Sequence, residues 1–224
     1  MKRILVLGAG QSAPYLIHYL LEAAQEHDWF VTVGDLRVDL ARQRVGNHPR
    51  GEAVPFDLHD TDLRATLIGQ SDVVVNMMPP IFQPILATDC VRLERPMVSA
   101  SYRSPEVRAL DRDAQRHGVL LLCEMGLDPG MDHMSAMRLI QSIHDDGGKV
   151  TSFCSYGSGI PAPDQPQNPF RYVITWNPRN VVMAGEGGAQ YMEEGRIKSE
   201  MIPEEEKLPG EENGDSPMLE LTEL

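Results

Sequence analysis

The stretch Ile4-Leu5-Val6-Leu7-Gly8-Ala9-Gly10-Gln11-Ser12-Ala13, continued through residues 14–35, decides the fold. Four apolar residues run into a pair of glycines. Apolar positions at Ala13, Leu16, Ile17, Leu20, Leu21 and Ala24 then keep a helical spacing, and Phe30-Val31-Thr32-Val33 is apolar again before Gly34-Asp35. The order is strand, tight turn, helix, strand, with an acid where the second strand ends. It has the G-x-G-x-x-A form of a dinucleotide-binding turn. Gly8 permits the turn, Gly10 lets the backbone approach a pyrophosphate, and Ala13 lets the helix lie close to the strand. Gln11 and Ser12 complete the loop. The helix start offers unpaired N–H groups and a partial positive charge to phosphates. Asp35 lies roughly 20 residues on, where such turns carry the acid that meets the ribose. A plain βαβ turn without a ligand shares the glycines, but the strand before, the helix after and the acid beyond favour a nucleotide site.

Beyond Asp35 the pattern repeats. Residues 36–45 suit a short helix broken by Gly46-Asn47-His48-Pro49, residues 53–56 a third strand ending at Asp57, and residues 61–68 a helix stopped by Gly69. Asp72-Val73-Val74-Val75-Asn76 is a β-branched run of the kind a parallel strand shows when both faces are buried, and it ends in Met77-Met78-Pro79-Pro80. Residues 83–93 read as a helix and 97–100 as a strand. Ser104-Pro105-Glu106 starts a helix with a serine cap and proline in the first turn, running to His117 and closed by Gly118. Residues 119–125 read as a further buried strand. This alternation predicts an α/β fold, a doubly wound parallel sheet, whose ligands bind beyond the carboxyl ends of the strands. Function is therefore sought at Gly8–Ala13, Asp35, Asp57, 76–80, 100–103 and 124–133.

The last of these, Glu124-Met125-Gly126-Leu127-Asp128-Pro129-Gly130-Met131-Asp132-His133-Met134, runs a strand into a Gly/Pro turn holding acids and a histidine. Asp132 reads as a helix-start cap and His133 as a partly buried first-turn residue. Asp128 has no such excuse, because Gly126, Pro129 and Gly130 already make the turn. A metal set of Asp128, Asp132 and His133 is not assigned, since no further ligand cluster accompanies it. Residues 148–156 read as a strand, 157–163 as a loop, and 171–176 and 181–183 as further strands, the start of a second domain; Met134, Met137, Tyr172 and Trp176 read as core. From about Ser199 the sequence turns to Glu, Pro and Gly and reads as a disordered acidic tail.

The chain has 224 residues, 42% of them hydrophobic, enough for one large or two small domains. No run is long enough for a bilayer, and the apolar part after Lys2-Arg3 is too short for a signal peptide, so a cytoplasmic protein without membrane partners is expected. Cys90, Cys123 and Cys154 lack the spacing of a disulfide framework or zinc site. A net charge of −13 disfavours nucleic acid, although residues 200–224 alone carry −8 of it.

These stretches resemble the saccharopine dehydrogenase (saccharopine reductase) family of the L-glutamate-forming kind. The resemblance rests on Val6–Gly10, Ser99-Ala100-Ser101-Tyr102-Arg103-Ser104-Pro105, Glu124 through Met134, Tyr156 through Pro163 and Trp176-Asn177-Pro178-Arg179-Asn180-Val181. It implies a Rossmann dinucleotide-binding domain (1–125) and part of an α+β substrate or dimerisation domain (126–198) before the tail (199–224). It also implies NAD(P) as cofactor, an amino-acid substrate joined to or split from an aldehyde through an imine, and a homodimer. The family's pocket tyrosine and aspartate correspond to Tyr102 and Asp128, which would act catalytically. Arg103 and Arg179 are candidate partners for substrate carboxylates. Among the strand ends, Asp35 favours NAD(H), Arg37 could reach a 2′-phosphate, Met78 and Pro79 should border the nicotinamide ribose, and Asp57 the adenine. Where the family carries a cysteine after Ser-Tyr, this chain has Gly157. The chain also stops near the middle of the family's usual length, which predicts a cofactor-binding, weakly active or inactive species whose second domain is incomplete or paired with another copy. A carboxynorspermidine synthase-like imine reductase and a non-catalytic NAD-binding module are the competing expectations.

Overall fold

A computed structural model describes residues 1–157, 159–164, 169, 173 and 189–200. The described chain divides into two compact units, Met1–Ser158 and Gly159–Leu224.

The first unit is a six-stranded sheet of β1 (Lys2–Leu7), β2 (Trp29–Asp35), β3 (Gly51–Pro55), β4 (Val73–Asn76), β5 (Met97–Ser99) and β6 (Leu121–Leu122). Its order is β3-β2-β1-β4-β5-β6 with every pairing parallel. The helices between strands are α1 (Pro14–Ala23), α2 (Val38–Val45), α3 (Thr61–Gln70) and α4 (Gln83–Arg92), the last preceded by a 3-10 turn. The chain crosses from one side of β1 to the other between β3 and β4, so the switch point of the sheet lies at the end of β1. Register aligns the strand ends there, with Leu7 opposite both Gly34 and Asn76, and Asn76 opposite Ser99.

Alternation along β1 divides the core. Ile4 and Val6 pack with Ile17, Leu20 and Leu21 of α1 and Ala41 and Val45 of α2. Leu5 and Leu7 pack with Ile68, Leu86 and Cys90 on the other face. Each fully buried Leu or Ile contributes about 1.5–3 kcal/mol, which is why the central strands are unbroken apolar runs. Between α3 and α4, the Arg64 guanidinium meets the Asp89 carboxylate and the Leu58 carbonyl in the interior, and Arg92 adds a second bond to Asp89 at 2.8 Å.

Several boundaries differ from expectation. α3 runs through Gly69 to Gln70, because that glycine lies on an open side of the last turn, where its helix cost of about 1 kcal/mol is borne. The helix foreseen over 104–117 is two, α5 (Pro105–Ala109) and α6 (Asp111–His117). Backbone bonding tightens at Leu110, whose N–H reaches the Val107 carbonyl at 3.1 Å. Ser104 does cap the first, its hydroxyl accepting from Val107 N–H. The strand foreseen over 119–125 shrinks to two residues and is not buried. It is the sheet edge, Leu120 is 59% exposed, and Glu124 turns the chain away with φ 63°. Residues 148–156 form no strand, since no described segment pairs with their backbone. The unit's last helix, α7, spans Met131–Asp145, and Met134 and Met137, expected in the core, stand 53% and 58% exposed on it, because none of its described side chains is buried.

In the second unit β7 (Ala189–Glu193) and β8 (Arg196–Glu200) make an antiparallel hairpin that the sequence reading did not foresee. Glu194 and Gly195 turn it with φ of 51° and 75°, the two-residue turn that matches strand twist. Tyr172, Trp176, Arg179, most of the strand foreseen over 171–176, all of that over 181–183, and residues 201–224 lie outside the described residues.

Candidate functional site

The glycine loop is built as its residue types demand. Gly8 has φ 101°, donates its N–H to the Gly34 carbonyl at 2.8 Å, and lies against the end of β4. A side-chain carbon there would stand 2.9 Å from the Met77 carbonyl group. Only glycine fits. At Gly10 the opposite holds: a side-chain carbon would meet nothing within 4 Å, so the backbone faces open space. Gln11 and Ser12 are exposed, Ala13 is buried against the sheet, and its N–H reaches the Gly10 carbonyl. No side chain caps the start of α1. A tight glycine, an open glycine and an uncapped helix start make a cradle that a pyrophosphate fits.

Asp35 ends β2 beside this loop. One carboxylate oxygen accepts from Ala9 N–H and the other from Arg37 N–H, both at 2.8 Å. The acid thus ties the loop to the strand end, a task its position in the sequence did not disclose. Arg37 is exposed and precedes α2. Asp57 is exposed and accepts from His59 N–H at 2.9 Å in a local turn. Met78 donates its N–H to the Asn76 side chain at 3.0 Å, and Pro79 is exposed beyond it.

At the ends of β5 and β6 the Tyr102 hydroxyl donates to Asp128 Oδ1 at 3.1 Å, so the two residues singled out from distant stretches meet. Burial, the hydrogen bond to Asp128, and the charges of Asp128, Asp132 and Glu124 all push the Tyr102 phenol up. The phenol therefore holds its proton at neutral pH. Asp128 heads a turn in which Gly126 N–H meets the Pro129 carbonyl and Met131 N–H the Gly126 carbonyl. Gly130, φ 150°, is pressed so closely onto Gly126 that no side chain fits. A side chain at Gly157 would begin 3.6 Å from Asp128 Oδ2, so this position borders the pair.

Asp132 accepts from Gly130 N–H at 2.9 Å and from His133 at 2.7 Å. Against desolvation, these bonds hold its carboxyl below the usual range. His133 is not partly buried as foreseen but 61% exposed, because α7 buries none of its described side chains. Arg103 is exposed, and its backbone N–H rests on Glu124 at 3.2 Å. Arg179 lies outside the described residues. The reading missed the buried polar residues Asn76, Gln83 and Ser99 beneath these loops. Nothing in their spacing marks them off from turn and cap residues.

Comparison with known proteins puts these pieces in one lineage. The family described as Saccharopine dehydrogenase NADP binding domain matches residues 4–122, and Saccharopine dehydrogenase C-terminal domain matches residues 126–220. Saccharopine dehydrogenase [NADP(+), L-glutamate-forming] of Saccharomyces cerevisiae is 33% identical over 198 residues, 88% of this chain and 44% of that one. Alpha-aminoadipic semialdehyde synthase of Arabidopsis thaliana is 36% identical over 183 residues, 82% of this chain and 17% of that one. The apo structure of the yeast saccharopine dehydrogenase superposes with a TM-score of 0.77 at 32% identity, covering 90% of this chain and 44% of the other. The chain thus spans less than half the length of these relatives.

Proposed function

Because the chain belongs to the saccharopine dehydrogenase family, we propose that it is an NAD(P)-dependent oxidoreductase acting on the CH–NH bond of saccharopine. The observation that carries this reading is the Tyr102–Asp128 hydrogen bond, set on the strand ends next to a glycine cradle. We read residues 1–125 as the dinucleotide-binding domain and 126–198 as part of the substrate domain. The meeting of the two family matches between residues 122 and 126 supports that division.

Oxidation at a CH–NH bond removes a hydride from carbon and a proton from nitrogen. Water then adds to the imine carbon, and the carbinolamine splits into amine and aldehyde. A nicotinamide dinucleotide, when bound, supplies the hydride acceptor. Gly8, Gly10, Gln11, Ser12 and Ala13 would hold its pyrophosphate, Asp35 and Arg37 would meet the adenosine ribose, Asp57 the adenine, and Met78 and Pro79 the nicotinamide ribose. The Tyr102 phenol keeps its proton while its hydroxyl hydrogen-bonds to the Asp128 carboxylate, so the pair offers a donor and an acceptor side by side for the nitrogen and the water. Arg103 and Arg179 pair with substrate carboxylates. Relatives are named for NADP(+). Here the Asp35 carboxylate at the end of β2 repels a 2′-phosphate, which favours NAD(H).

A homodimer and a cytoplasmic setting belong to the same proposal. Exposed apolar side chains on β6 and α7, Leu122, Met134 and Met137 among them, support the first. No described helix is long and apolar enough to cross a membrane. Sedimentation and cell fractionation test the two. The activity is tested by absorbance at 340 nm with saccharopine and each oxidised cofactor. Asp128→Asn is expected to lower turnover far more than cofactor affinity. Equal losses in both would make Asp128 a structural turn residue.

A further inference from the structure

Three polar side chains lie almost wholly buried beneath the strand ends: Asn76, Gln83 and Ser99, each about 1% exposed. They form one chain of hydrogen bonds. Asn76 Oδ1 accepts from Met78 N–H at 3.0 Å, and Asn76 Nδ2 donates to Ser99 Oγ at 3.3 Å. Ser99 Oγ donates to Gln83 Oε1 at 2.9 Å and accepts from Ser101 N–H at 3.2 Å. Gln83 Nε2 donates to the Tyr102 carbonyl at 3.1 Å and to Cys123 Sγ at 3.3 Å. The chain starts on the loop after β4 and ends on the backbone of the residue whose hydroxyl touches Asp128.

Burying a carboxamide costs unless its groups are paired, and here every one is. A plain core would hold β4, β5 and α4 together without polar groups. What a hydrogen-bonded chain adds is direction: it fixes one loop relative to the other through bonds of defined length and angle. Gln83 is the joint. It is the first residue of α4, and it alone spans from the serine on β5 to the Tyr102 carbonyl. Tyr102 is otherwise 61% exposed, held at its tip by Asp128 and at its backbone by Gln83.

We propose that Gln83 is a positioning residue, which through Ser99 and Asn76 holds the Tyr102 hydroxyl in register with the Met78–Pro79 edge of the cofactor site. This rests on the proposed function for its chemical meaning but not for its test. Misplacing a reacting group by about 1 Å costs on the order of 100-fold in rate, so such a residue matters without touching substrate.

The test is the ionisation of Tyr102, followed by NMR of ring-labelled tyrosine in the full chain with the signal assigned through Tyr102→Phe. In Gln83→Met, which keeps the volume and removes the amide, the Tyr102 phenol is expected to titrate nearer its ordinary value as its contact with Asp128 loosens. Ser71→Ala removes another buried hydrogen bond, to the Ile68 carbonyl, and is expected to leave that titration in place even if it lowers the melting temperature. If Gln83→Met does not fold, Ser99→Ala cuts the same chain one bond earlier and takes its place. Unmoved Tyr102 titration in the folded chain-breaking variant overturns the proposal. Where saccharopine turnover is present, the same variant is expected to lower kcat about tenfold or more with cofactor affinity unchanged. Absence of wild-type turnover would count against the activity alone, because the titration still decides the role of Gln83.

Discussion

At Gly10 a side chain has room in the protein, and it would crowd a pyrophosphate bound in the proposed cradle. Gly10→Val is therefore expected to keep its unfolding free energy within about 0.5 kcal/mol of the parent and to lose NADH and NADPH binding by fluorescence titration. Retained affinity in that folded variant would dismiss the cradle. Asp35 braces Ala9 and Arg37, and in the proposed cofactor site it also sets a charge beside the ribose. Asn in its place keeps an oxygen acceptor and drops the charge. We expect the parent to prefer NADH over NADPH by at least ~10-fold, about 1.4 kcal/mol, and Asp35→Asn to erase most of that ratio. A ratio unchanged in the variant would show that Asp35 only braces the loop. The double use of Asp35 was not legible in the sequence. Spacing locates an acid at a strand end, whereas the N–H groups it accepts come from a loop 26 residues earlier in the chain and from a residue two later.

Elements with strong patterning were read well, and for a physical reason. A central parallel strand packs on both faces, so Ile4–Leu7, all buried, and Val73–Val75, with Val74 buried and its neighbours partly so, announce themselves. Segments at the sheet edge carry no such demand: residues 119–125 are largely apolar, yet only two pair, and 148–156, with Val150, Thr151, Phe153 and Tyr156, have no partner strand among the described residues. The hairpin of β7 and β8 hid behind its charges, Glu193, Arg196 and Lys198, which the alternation places on exposed strands. The join of α3 and α4 was also silent. Desolvation raises the Asp89 carboxyl, but hydrogen bonds from Arg64 and Arg92 outweigh it and hold it below the usual 3.8. A group lowered on folding stabilises above its unfolded value and loses that contribution as pH falls through the folded one. Acid unfolding is thus expected to draw on Asp89 below about pH 4. Asp89→Leu leaves Arg64 buried without its counter-charge, at a cost of about 3–5 kcal/mol, while the double variant with Arg64→Leu recovers most of it. Chemical denaturation of the parent and the two variants measures this. A single variant as stable as the parent would show the pair to be idle.

Across the whole molecule, the order β3-β2-β1-β4-β5-β6 aligns the ends of β1, β2, β4 and β5, and that alignment turns scattered motifs into a site. The glycine loop, Asp35, Met78 and Tyr102 with Asp128 come from five separate stretches. The sequence disclosed each stretch, through glycine spacing or through a turn with a surplus acid. It did not disclose the buried chain through Asn76, Ser99 and Gln83, because a polar residue destined for the interior has the same composition signal as one at a cap. The central claim is that Tyr102 and Asp128 perform proton chemistry at a CH–NH bond beside a nicotinamide. The most direct measurement is the saccharopine-dependent formation of reduced cofactor, compared between the parent chain and Asp128→Asn at saturating cofactor. The account predicts saccharopine-dependent turnover in the parent, lowered about 100-fold or more in the variant with cofactor affinity held. A variant that turns saccharopine over as fast as the parent, or a parent that reduces neither NAD nor NADP with saccharopine, would contradict it.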